Sequence, residues 1–204
     1  MSEFDSRART WDENPVHRER SEAIAAKMEQ MLPLDKQMNA LEYGAGTGTL
    51  SLMLHTKLNT IVMMDSSAEM VKMMEEKMLQ FNATNVFPVY FDLEHETSEK
   101  MFDLIFNQMV LHHIADVESL LRKFYRMILP GGFLAIADLY TEDGSFHGEG
   151  FNGHQGFDPE NLRTQLLEVG FTTVVFEKCY TLNKVLADNT TKSFPIFLIT
   201  ASKN

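Results

Sequence analysis

Cysteine is nearly absent from this chain of 204 residues, because Cys179 is its single copy. One thiol cannot form an intrachain disulfide, which excludes a disulfide-stapled secreted scaffold and suits a reducing compartment. No window reaches the roughly 18 uninterrupted apolar residues of a membrane span. The opening residues, MSEFDSRARTWDENP, are polar and lack the apolar core of a signal peptide. We therefore expect a cytoplasmic protein with no membrane partner.

Basic residues are also scarce, since 18 Lys and Arg stand against 29 Asp and Glu and give a net charge of -11. Without a basic stripe, such a chain repels phosphate backbones and anionic lipids, so we expect no DNA partner. The hydrophobic share of 44% supports a sizeable core. Because there is no Pro/Gly/Ser linker, we predict one domain over residues 1–204, with a helical cap segment at 1–35 and a sheet core at 36–204. A monomer and a homodimer both remain open.

Short apolar runs alternate with segments of helical period, which is typical of a parallel sheet covered by helices. The predicted strands are residues 40–43, 60–64, 86–91, 102–106, 133–137, 172–176 and 194–200. Pro88 lies inside the third strand and cannot donate to a ladder, so we expect that strand at an edge of the sheet. Residues 92–101 are too few for a helical crossover, so we expect a single turn or an irregular loop there.

The first predicted strand runs into a loop with glycines at positions 44, 46 and 48. Such glycines let the backbone turn tightly and approach a ligand, and the next helix directs N–H groups towards it. The following strand ends at Asp65, at a spacing that lets a carboxylate meet ribose hydroxyls. Thr49 stands where a dinucleotide fingerprint has its third glycine, which disfavours a nicotinamide-dependent oxidoreductase. A phosphate-binding P-loop is excluded because no Gly-Lys-Ser/Thr follows.

Five short motifs, taken in order, resemble those of the class I S-adenosylmethionine-dependent methyltransferases. LEYGAGTG at 41–48 is similar to their first motif, and Asp65 matches the acid that they use on the cofactor ribose. FDL at 91–93 resembles the motif near the adenine amino group. FDLIFN at 102–107 resembles the fourth strand with its exit, and LPGGF at 129–133 resembles the turn before the fifth strand. The resemblance implies an α/β fold with a Rossmann-like, doubly wound seven-stranded sheet in the order 3-2-1-4-5-7-6, with strand 7 antiparallel.

The same resemblance implies S-adenosyl-L-methionine as the cofactor. The implied cofactor-binding residues are Glu42, Gly44, Ala45, Gly46, Thr49, Asp65, Ser66, Met70, Asp92, Leu93 and Asn107. The opening and tail of the chain resemble members that act on small molecules, which implies a small-molecule methyl acceptor. Two alternatives remain open: a protein- or RNA-directed methyltransferase, and a binding module that keeps the cofactor pocket without turnover.

His112 is the candidate catalytic residue, because it follows the fourth strand at the point where the resemblance places the transferred methyl group. An imidazole titrates near neutrality and accepts a proton at pH 7. The alternative is a histidine that caps the turn or bonds the backbone, and this alternative is favoured for His113. Residues 107–110, NQMV, depart from the Asn/Asp-Pro-Pro-aromatic tetrad of the amino-methylating DNA enzymes, which disfavours that activity.

Four side chains are candidates for substrate contact: Trp11, His113, His147 and His154. Trp11 would form a lid with the amino-terminal segment, or would anchor that segment on the core. The last two histidines lie in a glycine-bearing loop, 143–156, which is predicted to close over the substrate. Together with Asp143 and Glu149 they fit no dedicated metal motif, so we expect no metal site.

Overall fold

Seven strands form one mixed sheet in the computed structural model, which describes residues 4–204. The strands are β1 (Asn39–Tyr43), β2 (Thr60–Asp65), β3 (Val86–Tyr90), β4 (Phe102–Gln108), β5 (Ile128–Leu139), β6 (Thr172–Val185) and β7 (Thr191–Ser202). Their order is β3-β2-β1-β4-β5-β7-β6. The first five strands pair in parallel, whereas β7 is antiparallel to both β5 and β6. This confirms the predicted fold.

Five α-helices pack on the sheet: α1 (Pro15–Met31), α2 (Thr49–Leu54), α3 (Ala68–Gln80), α4 (Val117–Met127) and α5 (Pro159–Val169). The side chains of Asn14, Asp116 and Asp158 accept hydrogen bonds at the starts of α1, α4 and α5. Two short 3-10 helices, Ala8–Glu13 and Leu111–His113, complete the helical elements within residues 4–204. No helix among those residues is long and apolar enough to span a membrane.

β3 lies at an edge of the sheet, which confirms the prediction made from Pro88. Pro88 pairs with Met63 of β2. The connection from β3 to β4 contains no helix, as the short spacing indicated. The last two strands are longer than predicted. Their far halves pair with each other and carry many exposed polar side chains, so a search for apolar runs does not detect them.

Two apolar clusters cover the two faces of the sheet. Successive residues of β4 alternate between them, since Leu104 and Phe106 belong to one cluster and Ile105 to the other. The first cluster includes buried residues of α1 and α2, and the second includes buried residues of α4 and α5. This three-layer packing leaves the carboxyl ends of the parallel strands as the place where polar side chains collect.

Glu42 is a fully buried carboxyl group on β1 that ties this strand to α2. Its Oε2 accepts hydrogen bonds from the Ser51 amide at 3.1 Å and from the Ser51 hydroxyl at 2.5 Å. Burial raises the pKa of Glu42 to about 8, although the Ser51 hydrogen bonds and the charge of Lys77 oppose the rise.

Replacing this carboxyl by an amide, Glu42→Gln, should alter the pH dependence of stability. The folded pKa of about 8 lies above the ordinary value of 4.5, so the folded chain binds the proton more tightly than the unfolded chain. The stability that proton binding contributes is fully present below the unfolded-state pKa and is lost as the pH rises through the folded-state pKa. Urea unfolding should therefore show the wild-type free energy of unfolding falling by a few kcal/mol, relative to Glu42→Gln, between about pH 5 and pH 8. Parallel curves for the two proteins would contradict this account of Glu42.

Candidate functional site

A cavity of 610 Å³ opens beside the strand ends that lead into the glycine loop. Ligands of open α/β sheets bind in the crevice outside the carboxyl ends of the strands, which is where this cavity lies. Most residues that the sequence analysis singled out line it. They are Trp11, Gly44, Ala45, Gly46, Asp65, Ser66, Met70, Asp92, Leu93, His112, His113 and His147.

Four of the predicted site residues are not brought to the cavity lining: Glu42, Thr49, Asn107 and His154. Glu42 is directed at Ser51 instead. The Thr49 hydroxyl accepts a hydrogen bond from Lys77 at 2.8 Å and so belongs to a surface network. Asn107 is buried within β4. His154 fastens its loop to the turn after β4, because its Nε2 lies 3.0 Å from the carbonyl oxygen of Ile114.

The glycine loop is held against β2 by Asp65. One carboxylate oxygen accepts from the Gly46 amide and the other from the Ser67 amide, both at 2.8 Å. Burial raises the pKa of Asp65, against the hydrogen bonds from Ser67 and Gly46. A Cβ at Gly44 would lie 2.6 Å from Val110, so this position needs glycine for the close approach as well as for its positive φ.

This half of the cavity fits S-adenosylmethionine. A Cβ built on Gly46 meets no atom of residues 4–204 within 4 Å, so the loop backbone borders open space that a ligand can fill. Each Asp65 oxygen keeps a lone pair for a ribose hydroxyl besides the amide that it accepts. Asp92 and Glu94 add negative charge to the same lining, which complements a sulfonium cation.

The amino-terminal segment closes one side of the cavity. Asp12 accepts from the Thr47 hydroxyl at 2.8 Å and pairs with Lys77 at 2.9 Å, which ties the segment to the glycine loop and to α3. Trp11 lies 4.5 Å from the His17 ring, and His17 Nδ1 lies 2.8 Å from the Trp11 carbonyl oxygen. Trp11 thus lines the cavity and also anchors the segment, so the two roles predicted for this residue are compatible.

His112 and Asp138 form a fully buried pair where β4 and β5 end. His112 Nδ1 lies 2.6 Å from one carboxylate oxygen of Asp138, and the His112 amide donates to the other at 3.2 Å. Because a carboxylate accepts, Nδ1 carries a proton, which leaves Nε2 of a neutral ring with its lone pair. Within residues 4–204, Nε2 has no hydrogen-bond partner, although His112 lines the cavity.

Two further imidazoles and an aromatic ring extend this wall. His147 stacks on Phe151 at 3.8 Å, and His113 lies edge-on to Phe151 at 5.3 Å. Burial, together with the charge of the neighbouring His112, lowers the pKa of both His113 and His147 to about 4, so both rings are neutral at pH 7. His113 was a candidate for substrate contact, with a structural role favoured for its ring. The ring lines the cavity in contact with Phe4 and Phe151, so it does not point away from the site as the favoured alternative expected.

Among residues 4–204, these imidazoles form a group that could hold a metal ion. Nitrogen atoms of His112, His113 and His147 lie within 4.8 Å of one another. Neutral imidazoles are common ligands of divalent transition metals. The spacing of a different set, His147 with His154 and two loop acids, predicted no metal site.

Asp138 and Arg20 were missed by the sequence analysis. Asp138 follows a predicted buried strand just as Asp65 does, so the same rule identifies it. Arg20 lies four residues before Ile24 on the buried stripe of α1, where a basic residue is unexpected. The signal in both cases is a charged residue within an otherwise apolar pattern, and it can be found from the sequence alone.

Comparison with known proteins agrees with this geometry. A family described as Methyltransferase domain matches residues 16–175. An uncharacterized methyltransferase of Schizosaccharomyces pombe is 29% identical over 142 residues, which cover 61% of this chain and 50% of that protein. Malonyl-[acyl-carrier protein] O-methyltransferase 1 of Ilyobacter polytropus is 32% identical over 104 residues, which cover 50% of this chain and 38% of that protein. The chain thus matches half or less of the length of these curated relatives.

Solved structures show the same fold. N-methyltransferase NodS of Bradyrhizobium japonicum, in complex with S-adenosyl-L-homocysteine, superposes with a TM-score of 0.69 at 19% identity, covering 94% of this chain and 89% of that one. The family match spans β1 to β5 and includes the glycine loop, Asp65 and the three imidazoles of the cavity. The chain therefore belongs to the methyltransferase-domain family, within the class I S-adenosylmethionine-dependent methyltransferases.

Proposed function

We propose that this chain transfers the methyl group of S-adenosylmethionine to a nucleophilic atom of a small molecule. The observation that carries the proposal is the buried Nε2 of His112, which has no hydrogen-bond partner among residues 4–204 and belongs to a residue that lines the same cavity as the glycine loop. When bound, the cofactor supplies a methyl group on a sulfonium, which is already electrophilic. The chain has to align the acceptor, exclude water, and take a proton if the acceptor begins protonated.

The roles follow from the contacts. Asp65 and the glycine loop orient the cofactor through the ribose and the exposed loop backbone. His112 Nε2 orients the acceptor or accepts its proton, while Asp138 holds the ring. Phe146 and Phe151 line the same cavity as the histidines and exclude water from the acceptor side. Alignment and water exclusion supply up to about 7–11 kcal/mol of barrier lowering in favourable cases.

A small acceptor is favoured over a polymer. The cavity volume of 610 Å³ lies in the range of small-ligand sites. A net charge of -11 opposes RNA binding. Relatives named for phosphoethanolamine and for malonyl-[acyl-carrier protein] also have small or carrier-bound acceptors. A cytoplasmic location and a monomeric or homodimeric state remain predictions of the sequence.

Transfer of a labelled methyl group from the cofactor into a fractionated metabolite extract tests the function. The proposal predicts label in a small-molecule fraction. Label in protein or RNA alone would favour the polymer-directed alternative. Cofactor binding without any transfer would favour the non-catalytic module.

Asp65→Ala should weaken binding of S-adenosylmethionine by tenfold or more, as measured by calorimetry. Hydrogen bonds to charged groups contribute about 1.5–3 kcal/mol each, and tenfold corresponds to about 1.4 kcal/mol. Asp188→Ala, in an exposed turn, is the control for the loss of one negative charge and should bind normally. Tighter wild-type binding of a nicotinamide dinucleotide than of S-adenosylmethionine would overturn the cofactor assignment.

His112→Ala should lower turnover by about 10²–10⁴-fold with nearly unchanged cofactor affinity, if the acceptor begins protonated. His55→Ala is the matched control, because that imidazole lies outside the cavity and contacts the Leu52 carbonyl oxygen. Once an acceptor is known, full turnover by His112→Ala would reduce this residue to a structural role.

Chelation tests whether the three imidazoles act without a metal. We expect methyl transfer to survive dialysis against EDTA and 1,10-phenanthroline, because a sulfonium needs no Lewis acid for activation. Loss of transfer that is restored by a divalent transition metal, and not by Mg²⁺, would instead make His112, His113 and His147 a metal centre.

A further inference from the structure

The charged residues of the cavity are separated by sign. The acidic side chains lie at the ends of β2 and β3, on the side of the glycine loop: Asp65 ends β2, and Asp92 and Glu94 follow β3. Basic side chains, Arg7, Arg20 and Lys184, line the part that holds the imidazoles. Their positions are linked to that part, because the charges of Arg7 and Lys184 both act on His147, and the charge of Asp138, the partner of His112, acts on Arg20. The cofactor side is therefore suited to a cation and the imidazole side to an anion.

Arg20 is the buried member of the basic group. Only 6% of its surface is exposed, and within residues 4–204 its Nε has no hydrogen-bond partner. Asp138 attracts the guanidinium through space, but the two Asp138 oxygens accept from His112 and Leu139. A buried charge without a hydrogen-bonded partner is costly, so a ligand that supplies the partner is strongly favoured.

Lys184 and Arg7 differ from Arg20 in their surroundings. The Lys184 ammonium donates to the Phe146 carbonyl oxygen, and Arg7 lies over the Trp11 ring at 5.4 Å. Both keep positive charge near the cavity while they also hold its walls. A guanidinium presents its donors as a planar fork that matches carboxylate and phosphate oxygens.

We propose that the methyl acceptor carries an anionic group, a carboxylate or a phosphate, which the Arg20 guanidinium binds on the imidazole side of the cavity. That the bound anion is the methyl acceptor rests on the proposed function. Anion binding at this subsite does not depend on turnover. Binding there would place the neutral part of the acceptor against His112 and the aromatic wall, with the cofactor on the acidic side.

Calorimetric titration of simple anions tests the subsite. Benzoate and phenyl phosphate are the probes, benzamide is the uncharged comparison, and the protein is saturated with S-adenosylhomocysteine. We expect saturable binding of one or both anions and none of comparable affinity for benzamide. Tighter binding of benzoate points to a carboxylate acceptor, and tighter binding of phenyl phosphate points to a phosphate acceptor.

Arg20→Met should weaken binding of the preferred anion by roughly 10- to 100-fold, because it removes charge-assisted hydrogen bonds. Arg20→Lys keeps the charge without the planar fork, and should weaken binding by less. Arg18→Met is the matched control, since Arg18 lies on the same helix, is 76% exposed and pairs with Glu22, and it should leave anion affinity unchanged.

Three results would overturn the subsite. These are no saturable binding of either anion, unchanged anion affinity in Arg20→Met, or a fall of roughly 10 °C or more in the Tm of the ligand-free variant. The last result would mean that Arg20 is a structural partner of Asp138. If the anions bind as expected but no metabolite is methylated, the proposed function fails while the anion subsite stands.

Discussion

The hydrogen bond between His112 Nδ1 and Asp138 is the contact on which the rest of the candidate site depends. Parallel pairing of β4 with β5 brings the two strand exits side by side, so that residues 26 positions apart meet in a fully buried pair. The same carboxylate holds the His112 amide, which fixes the backbone of the turn after β4. The imidazole is thus fixed both at its ring and at its main chain.

The acceptor wall is then built on that turn. The His154 amide donates to the His112 carbonyl oxygen at 2.7 Å, and a Cβ at Gly153 would meet the same oxygen at 2.3 Å. This close contact positions the 143–156 loop, and Phe146, His147 and Phe151 of that loop line the cavity. His154, predicted to contact substrate, contributes instead by holding the loop that contains residues which do line the site. A site built in this way relies on alignment, which suits a reaction whose electrophile is activated before it binds.

Sequence reasoning predicted the parts of the molecule that local chemistry determines. Pro88 predicted the edge strand, the glycine loop and Asp65 predicted the candidate cofactor side, and the resemblance to the methyltransferase family implied the strand order. It did not predict contacts with neighbours distant in the chain. Thr49 is drawn into the Asp12–Lys77 network by the amino-terminal segment, and His113 faces the cavity because the turn is set by Asp138. The sequence around Thr49 or His113 does not predict these distant contacts.

The protonation of the His112 ring tests the central claim most directly. In protein labelled with ¹⁵N at histidine and saturated with S-adenosylhomocysteine, NMR reports which ring nitrogen carries hydrogen at pH 7. The account predicts a protonated Nδ1 and an unprotonated Nε2 for His112, with that pattern lost in Asp138→Ala. A proton on Nε2 of the wild-type protein, or a pattern that does not change in Asp138→Ala, would contradict it.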